Sequence, residues 1–313
     1  MKRFLLTALI SVISAYAILA AADFRLSGRL KESHGLVAVW SEILNGGLDA
    51  DIVIMGASDA AYGISPAILD SILPGTKTYN LGCEGRFVLS QVAKYNTYLK
   101  RNRPPSVAVY SLTHMTLLSE QYYERSQYFP FFFIRDFREA VFPLDSFSAA
   151  ERFIPMLRYR GGVPQRLSKT SRSLTNGFGM VDRPFSRREM EEAAITLNTP
   201  FYIPERSERA FLAYLDSCRA LGIRVIFVYP PVYREIRDIT LDREEMYSFF
   251  ESIASPRGIP VIDYSYHPMC NDSSMFFDGA HLNKTGSEIY SRILAGDLKR
   301  QLYDESIGNN PRP

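Results

Sequence analysis

Short apolar runs recur along the chain, separated by stretches of mixed polarity. Asp51-Ile52-Val53-Ile54-Met55-Gly56 is one such run, ended by glycine, and similar runs occupy residues 107–110, 223–229 and 260–264. An unbroken apolar run of this length predicts a strand buried on both faces, since a strand with one wet face would alternate. Segments 87–99, 208–221, 243–254 and 286–302 are longer, mix apolar with polar positions and read as helices. At Leu221-Gly222-Ile223 a helix end meets a strand, with glycine where helices commonly terminate. Strands alternating with helices predict parallel βαβ units, and hence an α/β fold built on a doubly wound parallel sheet. The ligand crevice of such a sheet opens at the carboxyl ends of its strands, so motifs directly after strands are the first to weigh.

The N-terminus follows a different pattern. Met1-Lys2-Arg3 is followed by residues 4–22, nineteen positions without a charge, ending Ala20-Ala21-Ala22. That run is just long enough to span a bilayer as a helix, and its small-residue end also suits signal-peptide cleavage. A cleaved signal peptide and a membrane anchor both remain open, and both imply export to a periplasmic or other extracytoplasmic location. The short basic N-terminus favours an N-inside orientation, although Arg25, Arg29 and Lys31 lie just beyond the run. Residues 23–50 read as a connecting, amphipathic stretch. The main domain then covers 51–313, and its alternation breaks down at about 115–205. This insertion carries Tyr122, Tyr123, Tyr128, Phe129, Phe131, Phe132 and Phe133, and then a series of arginines. It is either a lid or substrate platform, or a helical subdomain that buries the aromatics in its own core.

Composition narrows the possible partners. Thirty-six basic residues against 34 acidic ones leave a net charge of +2, too weak a field to imply nucleic acid. Cys83, Cys218 and Cys270 are far apart and form no pair or metal-ligand spacing, so neither a metal nor a cofactor is expected.

Asp278-Gly279-Ala280-His281-Leu282-Asn283-Lys284 carries the strongest chemical signal. Attack on an ester needs a base near neutral pKa, which imidazole provides. A carboxylate three residues earlier, on a turn opening a helix, can hold that imidazole in the required tautomer. Of the four histidines, His34, His114, His267 and His281, only His281 has this setting. Ser58, in Gly56-Ala57-Ser58-Asp59, directly follows the first strand and is the nucleophile candidate. Asn80-Leu81-Gly82-Cys83-Glu84-Gly85 is either a donor loop for a tetrahedral oxyanion or merely a tight turn between strand and helix.

In order and rough spacing these three blocks resemble those of the SGNH/GDSL hydrolases. The likeness is to the exported branch acting in envelope polysaccharide O-acylation, the DltD-like and alginate O-acetylation (AlgJ/AlgX-like) proteins. It covers about residues 51–111 and 222–302 and leaves the insertion outside. The resemblance implies a flavodoxin-like SGNH fold. It also implies Ser58 as nucleophile, His281 as general base, Asp278 as its orienting partner, and the N–H groups of Ser58 and Gly85 as the oxyanion hole. It further implies a glycan substrate and an MBOAT-type membrane partner that delivers the acyl group. One block departs from the family: where an asparagine is expected, this chain reads Tyr110-Ser111-Leu112-Thr113-His114. Thr113 or His114 is the candidate substitute donor; the alternative makes His114 a structural histidine.

Three functions follow: an O-acyltransferase passing an acyl group from Ser58 to a sugar hydroxyl, an esterase using water as acceptor, or a glycan-binding protein without catalysis. Arg158, Arg160, Arg166, Lys169 and Arg172 form a basic stretch that either meets an anionic glycan or faces solvent. Tyr229-Pro230-Pro231 is expected at the crevice rim, and His267 has no evident partner in the sequence.

Overall fold

The computed structural model of the protein describes residues 1–32, 35–83, 88–114, 116–117, 125–143, 147–161 and 174–304. Its strands are β1 (Ile52–Met55), β2 (Thr78–Asn80), β3 (Val107–Ser111), β4 (Leu174–Thr175), β5 (Phe178–Gly179), β6 (Arg224–Tyr229) and β7 (Val261–Asp263). Five of them form one sheet in the order β2-β1-β3-β6-β7, and every pairing in it is parallel. Counted along the sheet this is the 2-1-3-4-5 winding of flavodoxin-like folds, whose switch point lies between the first and third strands. Ile52 pairs with Thr78 on one side and Val107 on the other, and Ser111 pairs with Val228.

Both faces of the sheet are covered. Val53, Met55, Ala108, Tyr110, Val225 and Phe227 point into one core, while Ile52, Ile54, Val107, Val109, Ile226 and Val228 point into the other. Successive side chains of a strand face opposite ways, so only an unbroken apolar run can fill both cores at once. The run at 51–56 therefore behaves as its pattern predicts. β2, with the sequence Thr-Tyr-Asn, carries no such run. It sits at the sheet edge and borrows its burial from the elements packed over it.

The helices in chain order are α1 (Lys2–Lys31), α2 (Leu36–Asn45), α3 (Ser58–Gly63), α4 (Pro66–Ile72), α5 (Val88–Arg101), α6 (Arg135–Val141) and α7 (Ala149–Phe153). They are followed by α8 (Arg187–Leu197), α9 (Glu205–Ala220), α10 (Arg234–Ile239), α11 (Arg243–Ala254) and α12 (Lys284–Lys299). Helix α11 has the limits its sequence predicts, and α5, α9 and α12 lie within a few residues of theirs. α3 and α4 are too short to carry a readable period.

The aromatics of the insertion do not form a core by themselves. Tyr128, Phe131, Phe132 and Phe137 pack with Val37, Trp40 and Leu44 of α2 and Ala93 of α5. Each fully buried side chain of this size contributes roughly 1.5–3 kcal/mol, so the cluster fastens the insertion to the main body. Tyr122 and Tyr123 lie outside the described residues.

Helix α1 does not end where its apolar run ends. It continues to Lys31, and Asp23 and Ser27 on this continuation are buried. Asp23 forms an ion pair with Arg158, their side chains only 0% and 3% exposed. Asp23 also accepts from the Met156 backbone N–H at 2.7 Å, and the Arg158 Nε donates to the Phe129 carbonyl at 3.0 Å. Arg158 is thus neither a solvated loop residue nor open to a glycan, because desolvating a guanidinium demands a carboxylate partner. Arg160 is exposed, while Arg166, Lys169 and Arg172 lie outside the described residues.

Removing one member of a buried ion pair leaves an uncompensated charge. Asp23→Ala is therefore expected to destabilise the full-length protein by about 3–5 kcal/mol. Asp23→Ala combined with Arg158→Met should recover most of that loss. Denaturant unfolding in detergent checks both, and a single variant with the wild-type midpoint would show that the pair does not hold α1 to the body.

Candidate active site

β1 ends at Met55, and the chain leaves the sheet through Gly56 and Ala57 before α3 starts at Ser58. Gly56 has φ +141°, and a Cβ there would lie 2.8 Å from the Ala60 Cβ and 2.9 Å from the Ser111 Cβ. No other residue fits this exit without moving β3 or α3. The turn puts Ser58 at the switch point, above the carboxyl ends of β1 and β3.

The second segment comes from the far end of the chain. In Asp278-Gly279-Ala280-His281, Gly279 at φ +79° closes a turn in which the Asp278 Oδ1 accepts the backbone N–H groups of Ala280 (3.1 Å) and His281 (2.8 Å). Asn283 then caps α12, its Oδ1 accepting the Gly286 N–H at 3.1 Å. Its Nδ2 donates to the carbonyls of Ser274 and Phe276, so the turn is tied down on both sides.

These two segments meet. Ser58 Oγ lies 2.7 Å from His281 Nε2 across 223 residues of sequence. The other ring nitrogen, Nδ1, lies 2.8 Å from Asp278 Oδ2 and 3.0 Å from Oδ1. An Nδ1–H donating to the carboxylate leaves Nε2 as the lone-pair nitrogen facing the hydroxyl, the arrangement in which an imidazole can take a serine proton. The His281 ring stacks on Phe277 at 5.3 Å with 5° between the planes, and the Arg183 guanidinium lies over the Phe277 ring at 4.5 Å.

The sequence did not single out Asp59 and Ser111. Asp59 is partly buried, and the Ser111 hydroxyl at the end of β3 donates to its carboxylate. Burial pushes its pKa above the ordinary value of 3.8, against the lowering effects of the Ser111 hydrogen bond and the nearby His281. An Asp directly after the candidate nucleophile was the available signal, but only the sheet shows that it is desolvated.

A cavity of about 470 Å³ opens at this edge, lined by Ser58, Asp278 and His281 and by Thr113 and His114 after β3. Tyr229 and Pro230 also line it, and Glu189 and Leu197 of α8 form part of a wall supplied by the insertion. Thr113 is engaged locally, its backbone N–H donating to Thr116 Oγ1 at 2.7 Å. His114 is buried with its ring 5.9 Å from that of Phe201. In the second block the Asn80 side chain donates to the carbonyls of Ala60 and Ile64 and accepts the Gly82 N–H at 2.8 Å, which ties that loop to α3. Gly85, expected as an oxyanion donor, lies outside the described residues, as does His34. His267 accepts the Met269 N–H at 3.3 Å as the cap of a short helical turn, which is its partner. Among the described residues no group of three or more His, Cys, Asp and Glu side chains is placed to hold a metal ion.

No family model and no curated protein matches the chain. Solved structures similar to it include a GDSL-like lipase from Bacteroides thetaiotaomicron, at 12% identity and a TM-score of 0.41 over 85% of this chain and 95% of that one. A candidate acylhydrolase from Bacteroides fragilis is similar at 12% identity and a TM-score of 0.41, over 80% of this chain and 87% of that one. A candidate lipase from Chitinophaga pinensis is similar at 13% identity and a TM-score of 0.39, over 80% and 98% respectively. The chemistry of the site is read from this chain's own residues.

The insertion reaches the site by two routes. The Asn176-Gly177 turn between β4 and β5 sets its Asn176 carbonyl 2.9 Å from the Asn80 N–H, and the Val181 carbonyl accepts the Lys284 N–H at 2.8 Å. Asn-Gly is a strong hairpin signal, and it was legible without the structure.

The raised pKa of Asp59 has a consequence for stability. An acid that holds its proton more tightly when folded weakens the fold as pH rises from about 4 to its folded pKa, because the unfolded chain ionises first. Asp59→Asn removes this effect while leaving an acceptor for Ser111. The variant should gain stability relative to wild type as pH rises through that window, with no gain below it. Thermal unfolding midpoints of the two proteins across pH check this, and parallel profiles would contradict it.

Proposed function

We propose that this chain is an extracytoplasmic, serine-dependent O-acyltransferase that carries an acyl group, most simply acetyl, on Ser58 and passes it to a hydroxyl of a cell-envelope or secreted polysaccharide. The hydrogen-bonded series from Ser58 through His281 to Asp278, facing a cavity of about 470 Å³, carries the reading. Its chemistry is ester exchange in two balanced steps. Ser58 Oγ attacks the acyl carbonyl while His281 Nε2 takes the hydroxyl proton, and the imidazolium returns that proton to the departing alcohol or thiol. The acceptor hydroxyl then gives its proton to Nε2 and attacks the acyl-serine, and the imidazolium passes that proton to Ser58 Oγ as the new ester leaves.

Charge developing on the carbonyl oxygen needs donors. The backbone N–H of Ser58, at the start of α3, is one, Gly85 supplies the second, and Thr113 or His114 stands in for the family's asparagine. A single such donor is typically worth about 10²–10³ in kcat. Asp278 holds the imidazole in the working tautomer.

α1 supports the extracytoplasmic and membrane-bound part of the reading. Its thirty residues include the uncharged run 4–22, whose side chains are almost wholly exposed, and the helix then continues into the body. A helix that spans the bilayer N-inside places Ser58 outside, where the acyl donor must come through a membrane partner, and an MBOAT-type protein fits that role.

The test is intact-mass analysis of the full chain in detergent after exposure to p-nitrophenyl acetate. Wild type should gain one acetyl group and Ser58→Ala none, while Asp278→Asn should acylate about 10²–10⁴-fold more slowly. Release of the adduct to an added polysaccharide supports transfer. Equally fast release to water identifies an esterase with the same three residues. A folded protein that never forms the adduct would leave glycan binding without catalysis.

A further inference from the structure

We infer that the part of the insertion beside α1 lies flat on the lipid bilayer as a second membrane contact, which fixes how the body is held over the surface. The inference rests on α1 spanning the bilayer, as in the reading above, and not on the acyl chemistry.

The uncharged run of α1 ends at Ala22, and the very next residue, Asp23, is completely buried. Arg158, the Met156 N–H and the Ser27 hydroxyl all donate to it, and the Tyr159 hydroxyl lies 3.0 Å from Ser27 Oγ. There is no linker: the body is clasped one residue beyond the apolar run. A rise of about 1.5 Å per residue makes residues 4–22 roughly 28 Å long, close to the thickness of a bilayer core.

The body also reaches back along that run. The Tyr16 hydroxyl, within the run, donates to the Phe153 carbonyl at 3.0 Å. Seven residues separate Tyr16 from Asp23, about 10 Å of helix, so the end of α7 stands beside the outer part of the apolar run and not above it. Here the side chains that face outward are large and apolar. Phe153 is 73% exposed and Ile154 48%, and Phe24 (66%), directly after Asp23, meets Phe133 (45%) edge-on at 6.1 Å. Nothing in water stabilises such a group, whereas the boundary between headgroups and acyl chains does.

Charge agrees with this placement. Arg25 and Arg29 of α1 and Arg152 of α7 are exposed, whereas Asp23 and Glu151 of the same two helices are buried and ion-paired; Glu32, at the end of α1, is exposed. Exposed arginines beside an apolar patch complement anionic lipid headgroups. The occupant is therefore a bilayer containing anionic lipid.

The full-length protein has one tryptophan, Trp40, which is fully buried. Phe153→Trp, a mild change at an exposed position, and Ile10→Trp within the apolar run are each reconstituted in phosphatidylethanolamine–phosphatidylglycerol vesicles, with and without lipids brominated on the acyl chain. Both variants should lose fluorescence to brominated lipid well beyond the wild-type loss. Quenching at position 10 without quenching at 153 overturns the inference and leaves the anchor intact. Absence of quenching at position 10 removes the spanning helix, and the inference with it. If 153 is unquenched in vesicles yet shielded from aqueous iodide in native membranes, a protein partner covers the patch and the lipid assignment is wrong.

Discussion

A parallel strand covered on both faces must stay apolar until it ends, so its polar chemistry is forced to the edge of the sheet. β1 and β3 obey this constraint. Ile52 to Met55 fill two cores alternately, and Gly56 and Ser111 then begin the polar edge. The parallel winding brings the exits of β1, β3 and β6 to one side. Ser58, Thr113, His114 and Pro230 consequently share one cavity although they are far apart in sequence. The turn at 278–281 arrives at the same edge because α12 packs against α3 and α4 on the sheet face that leads there.

Two carboxylates of the site differ in their partners. Asp278 lies at the edge, partly exposed, with its oxygens occupied by two backbone N–H groups and the imidazole. Asp59 is one residue from Ser58, with the Ser111 hydroxyl as its partner, and burial raises its pKa. The two carboxylates share a cavity, but only Asp278 meets the imidazole of His281.

The insertion links the two ends of the molecule. Its first part buries aromatics against α2 and α5 and holds α1 through Arg158. Its last part places the β4–β5 turn on Asn80, Arg183 over Phe277 and α8 along the cavity. The clasp on α1 and the wall of the cavity are thus both supplied by the insertion, so the fold and not a loose linker relates the apolar run to the cavity.

Sequence alone determined what depends on local patterning. Four apolar runs, α11, the neighbouring helices, the Asp-x-x-His turn and the uncharged N-terminal run were all legible, because each is specified by residues close together in the chain. Ser58 was readable as a residue just past a strand. Its 2.7 Å approach to His281 was not, since the chain between two positions 223 apart has to fold before that distance exists. β2 was implied only by the turn after it, because Thr-Tyr-Asn draws its burial from neighbours and not from its own hydrophobicity. The basic stretch looked like a solvated surface, yet Arg158 is buried. Only tertiary structure supplies Asp23 to it across 135 positions, because a charge leaves water only where a distant opposite charge is waiting.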